Sequence, residues 1–269
     1  AQGGAAVYGE YILITTAAAF AGQLFYGPFQ QGFIRQYYEA GNAGNLPLYH
    51  QLISAFQVTG FLLLILLGAM FLGGSIVLNQ PGYLLLIALA LLFALTSKFS
   101  EFFGGLLNVA RKREKNAFLQ VTERAISAGL LYLLLINSAL LTEYIIPVLA
   151  LPLLFIGMIK ARGFGWRYNS FSFKETLQSP AGKSLIKYSL PFILWGVAIW
   201  LQLNGEKWII SGFLSTEDVG YYGLMFSLTN AFIALPANLT NDLFLPLVFK
   251  NFSAEDGDKK RGEFYINLG

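Results

Sequence analysis

The stretch AGNAGNLPLYHQLISAFQVTGFLLLILLGAMFLGGSIVLNQPGYLLLIALALLFALTS, residues 40–97, holds no formally charged side chain, and Glu39 and Lys98 bracket it. Leu, Ile and Phe crowd both of its halves, with Asn79-Gln80-Pro81-Gly82 between them as a turn signal. About 20 apolar residues suffice to cross the hydrocarbon of a bilayer. The stretch therefore reads as two membrane spans joined by a short turn.

The rest of the chain agrees. Its 269 residues are 55% hydrophobic and 12% charged, against about 25% charged in an ordinary soluble domain, and the mean hydropathy is +0.56. The 24 Phe and 14 Tyr match the aromatic load of proteins that face lipid and its interfaces. Absence of Cys excludes disulfides, thiolate metal sites and a Cys nucleophile. The single histidine, His50, argues against a His-rich metal site or a Ser-His-Asp hydrolase, so no catalytic residue, metal ligand or cofactor is expected. His50 itself reads as an interfacial polar residue, with proton coupling as the sharper alternative.

Seven spans are expected, at about 7–27, 48–78, 83–110, 117–137, 144–161, 187–213 and 218–249. Pro147 and Pro152, and Pro236 and Pro246, are the expected kink points. Of the 18 Lys and Arg, 15 fall on one side, in 28–47, 111–116, 160–187 and the tail. The opposite turns near 79–82, 138–143 and 214–217 hold none. The positive-inside rule makes the basic side cytoplasmic. It also explains the formal charge of +3 without a nucleic-acid partner. Both ends have the look of cuts, Ala1-Gln2-Gly3-Gly4 opening directly on a span and Tyr265-Ile266 starting a new apolar run. A fragment of a longer membrane protein is expected.

The polar and aromatic loop 160–187 is the expected boundary between two helical bundles. A weak repeat supports a division. Gly9-Glu10-Tyr11 opens the first span and Gly220-Tyr221-Tyr222 the seventh, six spans apart, as tandem six-helix bundles would require.

Charges inside the spans are the candidate functional groups. A Lys or Arg at the centre of a membrane helix costs roughly 2.5–3.5 kcal/mol on insertion scales, so it needs a partner, a wet cavity or a function. Lys98 and Glu101 lie three residues apart on one helical face near mid-depth. They form either a neutralised structural pair or a site at which Lys98 attracts an anion. Glu206 and Lys207 lie toward the outer half of the sixth span, and Glu123 and Arg124 near the cytoplasmic end of the fourth. Snorkelling to the interface is the simplest account of Glu123 and Arg124, and Asp242 reads as interfacial. Gly182-Lys183-Ser184 imitates the tail of a phosphate-binding loop, but Leu177 stands where its opening glycine belongs. The Arg111–Lys115 cluster suits anionic lipid headgroups, although topology alone accounts for it.

Several segments resemble the oligosaccharide flippases of polysaccharide biosynthesis. That family shares a superfamily with the multidrug and toxin extrusion transporters and the lipid II flippase. The segments are Gly27-Pro28-Phe29-Gln30-Gln31-Gly32-Phe33-Ile34-Arg35-Gln36-Tyr37-Tyr38-Glu39-Ala40 and Ala110-Arg111-Lys112-Arg113-Glu114-Lys115-Asn116-Ala117. Lys187-Tyr188-Ser189-Leu190-Pro191-Phe192, Glu206-Lys207-Trp208 through Phe213, and Val219-Gly220-Tyr221-Tyr222 follow in the family's order. The pair Glu206-Lys207 departs from the Asp-Arg type commoner there.

The resemblance implies an all-α integral membrane protein, part of a two-lobed transporter of twelve to fourteen helices. Residues 1–160 would belong to the N-terminal lobe (spans two to six), 161–186 would be a cytoplasmic linker, and 187–269 would start the C-terminal lobe. It implies no enzyme but a flippase of the bacterial inner membrane, carrying a lipid-linked oligosaccharide on an isoprenoid pyrophosphate by alternating access. Its partners would be that substrate, membrane lipid, and glycan-synthesis and polymerisation proteins. The expected substrate-binding residues are Lys98, Glu101, Arg124, Glu206 and Lys207, with Arg35 at the cytoplasmic entrance. A multidrug exporter is the rival, and acidic cavity residues would suit its cationic cargo. A membrane glycan polymerase or ligase would need a large outer loop, and the outer turns here are a few residues long.

Overall fold

The computed structural model describes residues 2–42, 44–77, 82–136, 141–166, 173–230 and 232–233. Hydrocarbon offers no water to backbone N–H and C=O groups, so a spanning segment must satisfy them within itself. Every regular element among the described residues is accordingly helical. The elements are α1 (Gln2–Phe25), α2 (Gly27–Asn42), α3 (Leu46–Val77), α4 (Gly82–Val109), α5 (Arg113–Ile136), α6 (Thr142–Phe164), α7 (Phe173–Gln178) and α8 (Pro180–Phe213). Residues 216–220 are also helical. Six helices are long and apolar enough to cross a membrane: α1, α3, α4, α5, α6 and α8. They coincide with the first six expected spans. Most of 218–249, with Pro236, Asp242 and Pro246, lies outside the described residues, as do the turn near 79–82 in large part and the basic tail.

The segment expected as the 28–47 loop is mostly helix. Hydrogen bonds from the Tyr26 amide to the Gly22 carbonyl (2.7 Å) and from the Gln30 amide to the Tyr26 carbonyl (2.9 Å) carry the helical ladder from α1 into α2. Pro28 has no amide to give, so it is the natural place for the chain to bend. Helix persists because Phe29, Phe33, Gln36, Tyr37 and Ala40 fall on one stripe at helical spacing. Phe33 on this stripe is fully buried. Its ring meets Tyr49 and Phe56 of α3 and Phe102 of α4 at centroid separations of 5.8, 5.3 and 5.4 Å. Such pairs add about 0.5–1.5 kcal/mol each beyond area burial. The Tyr49 hydroxyl donates to the Phe33 carbonyl at 2.9 Å.

α4 is the hub, packing most extensively on α6 and also touching α1, α2, α3 and α5. Its Phe99, Phe102, Phe103, Leu106 and Leu107 fill the main core. α6 stays helical through both Pro147 and Pro152 and stops where Gly165 turns left-handed at φ 95°. There the Gly165 amide bonds Arg162 and the Trp166 amide bonds Ala161, each at 3.0 Å, a Schellman closure that favours glycine. Trp166 is thereby set against Phe103, with its indole N–H on Ser54 Oγ at 3.2 Å.

α8 starts earlier than expected. Ser179 caps it, its Oγ accepting from the Gly182 amide at 3.0 Å, and Pro180 occupies the first turn. Gly182-Lys183-Ser184 therefore lies in a capped helix that follows α7, and among the described residues no strand precedes it. α8 packs along α1 and α2. Residues 1–220 form one compact unit, so the sixth span packs with the first five; a second unit starts at Tyr221, of which 221–230 and 232–233 are described, as helix.

α1 and the helical segment 216–220 touch backbone to backbone. A methyl group on Gly9 would strike the Thr216 carbonyl, and one on Gly220 would strike the Ala5 carbonyl. Each added carbon would also lie 3.1–3.2 Å from the other glycine's amide nitrogen. Ala5 precedes Gly9 by one helical turn, as Thr216 precedes Gly220. The contact is thus reciprocal, and a local twofold relates 5–9 to 216–220. Both segments follow the small-xxx-small rule that lets membrane helices approach closely.

Candidate functional site

The expected pair on α4 is formed. Lys98 Nζ lies 2.6 Å from Glu101 Oε2. The two ends differ in access, the lysine side chain being 17% exposed and the carboxylate 59%. The lysine stem lies against Gly22 of α1. Gln30 Nε2 of α2 donates to the Glu101 carbonyl at 3.1 Å, which ties the pair's own turn to the α1–α2 bend. A shielded cation beside an open carboxylate can exchange its partner for an incoming anion. Equally, the open carboxylate can receive a cation.

Glu123 corrects the sequence reading. It does not snorkel outward but turns into the bundle, where its Oε2 accepts from Ser100 Oγ of α4 at 2.7 Å and from Lys160 Nζ of α6 at 3.0 Å. Lys160, assigned from sequence to the basic loop, is 2% exposed and also donates to Ser100 Oγ at 2.7 Å. One charged network thereby joins α4, α5 and α6. Its signal was present: Leu149, Ile156, Lys160 and Phe164 share one helical stripe, and all four are buried. Arg124, the next residue to Glu123, points away and is exposed, as neighbours on a helix must diverge.

The same divergence separates Glu206 from Lys207. Lys207 is 6% exposed and turns back on its own helix, to the Leu203 carbonyl at 2.7 Å and Asn204 Oδ1 at 3.0 Å, while Glu206 is half-buried. Arg35 of α2 places its guanidinium over the Tyr188 ring of α8, 4.6 Å from the centroid. The contact lies within the α2–α8 seam, between Gly32 against Ser189 and Gln36 on the Ala181 carbonyl.

α1 joins these features. Thr16 receives two of the three indole N–H groups of α8, Trp200 on its carbonyl at 2.8 Å and Trp208 on its hydroxyl at 3.1 Å. Gln23 packs on Gly196 of α8, one residue beyond the Gly22 that meets Lys98. Composition singled out charges and passed over Thr16, Gln23 and Trp200, because neutral polar groups in an apolar run carry no distinctive spacing. Among the described residues no group of three or more His, Asp or Glu could hold a metal ion.

No family model, curated protein or solved structure matches the chain.

Proposed function

We propose that the chain is part of a flippase that moves a lipid-linked oligosaccharide across the bacterial inner membrane by alternating access. The observation that carries this reading is the reciprocal crossing of 5–9 with 216–220. A local twofold between segments six spans apart is what two tandem lobes produce where they meet. On this reading residues 1–160 serve the first lobe, 161–186 link, and 187–269 begin the second, in a transporter of twelve to fourteen helices. Lys98 supplies a cation at mid-depth for a pyrophosphate, Arg124 and Lys207 are further intramembrane cations, and Arg35 flanks the cytoplasmic side.

Two experiments test it. Lys98→Ala in the full-length transporter should leave membrane abundance near normal and abolish surface polysaccharide. Lys98→Arg should keep part of the activity, because charge matters more than shape for a hydrated phosphate. Undiminished glycan export by Lys98→Ala removes the residue from the site. A charge-reversed pair, Lys98→Glu with Glu101→Lys, that transports normally would mark the pair as structural. Orientation is tested by single cysteines in this Cys-free chain. Ser215→Cys should react with an impermeant thiol reagent from outside and Ser170→Cys should not, and reversed labelling would overturn the direction of transport.

The exposed carboxylate of Glu101 favours one other reading, a multidrug exporter taking a cationic cargo. In that case Glu101→Gln, with Lys98 intact, abolishes drug efflux and leaves surface glycan unaltered.

A further inference from the structure

The connection between α4 and α5 is only three residues long, 110–112, yet Arg111, Lys112, Arg113 and Lys115 fall within five positions there. All four are exposed. With Glu114 they line an open cup of about 640 Å³. Lys112 Nζ donates to the Gly163 carbonyl at the end of α6 at 2.8 Å, so one wall of the cup is braced. Among the described residues no carboxylate lies within ion-pair distance of the four cations.

The backbone sharpens the point. α4 closes with the Arg111 amide on Asn108 (3.2 Å) and the Lys112 amide on Leu107 (2.9 Å). This closure puts Arg111 at φ 59°, and it is the one non-glycine residue at positive φ among those described. Glycine is the ordinary occupant of that position, since a side chain there is strained. An arginine kept at a glycine site, among four cations whose one acidic neighbour in the cup, Glu114, pairs with none of them, points to an anion supplied from outside the chain. The cup lies at the ends of two helices long and apolar enough to cross a membrane, α4 and α5, and the end of a span is where headgroups are met.

We propose that Arg111, Lys112, Arg113 and Lys115 bind the phosphate of an anionic membrane phospholipid. Each basic residue at such a surface strengthens association about fivefold, so removing two weakens it about twenty-five-fold. The proposal is independent of what the protein transports.

Native mass spectrometry of the detergent-solubilised full chain, titrated separately with phosphatidylglycerol, phosphatidylcholine and inorganic phosphate, tests it. Phosphatidylglycerol should bind more tightly than phosphatidylcholine. Arg111→Gly with Arg113→Gln should weaken phosphatidylglycerol binding about twenty-five-fold and leave phosphatidylcholine binding unchanged. Arg111→Gly relieves the backbone rather than straining it, so loss of binding cannot be ascribed to misfolding. Arg113→Lys should retain binding. Equal binding of the two lipids, or a double variant that binds as the parent does, overturns the proposal. Inorganic phosphate bound as tightly as phosphatidylglycerol assigns the site to a free anion and overturns the lipid assignment.

Discussion

Lys160→Met will destabilise the protein by about 3–5 kcal/mol, because it leaves the Glu123 carboxylate in the bundle without its cation. Lys160 Nζ is bonded to Glu123 and Ser100 at 3.0 and 2.7 Å and is 2% exposed, so no solvent rearrangement can replace it. Glu123→Leu alone should be similarly costly, since it strands the ammonium. The double variant, Lys160→Met with Glu123→Leu, should recover most of the loss, as apolar groups of similar volume often replace a buried ion pair at little cost. Ser100→Ala should cost only about 1–3 kcal/mol, because Glu123 and Lys160 each lose one hydrogen bond but keep each other. Thermal unfolding of the detergent-solubilised chain, with membrane abundance measured beside it, reads all four. A double variant as unstable as the sum of the singles would mean that the two charges do not act on each other.

Gly9→Ala and Gly220→Ala will each cost about 1–3 kcal/mol, the range for inserting a methylene where packing is already complete. Neither methyl group can be accommodated by a side-chain rotation, because its obstacle is a backbone carbonyl, Thr216 for one and Ala5 for the other. The helices must separate. Once they have, the second methyl meets open space, so the double variant should be scarcely worse than either single. Additive losses would show that the two glycines act at independent sites. Under the transporter reading, the same variants should alter transport beyond their effect on abundance, since they act where the repeated segments meet.

Much of this architecture was legible in the chain. The uncharged run 40–97 and its counterparts located six spans, because in hydrocarbon a segment must close its own hydrogen bonds and does so locally. The Lys98–Glu101 pair was legible for the same reason, three residues being one helical turn. Local rules failed where a partner was distant. Residues 27–42 looked like a loop for want of a long apolar run, yet the stripe from Phe29 to Ala40 is held helical by α3, α4 and α8. Lys160 looked like loop charge by its neighbours in sequence, but its environment is set by Ser100 and Glu123, 60 and 37 residues away. The Gly-x-Tyr repeat was visible only as a resemblance between two tripeptides. Only the tertiary structure could place Gly9 against Gly220, because helix–helix packing depends on which faces meet, and the span pattern leaves that open.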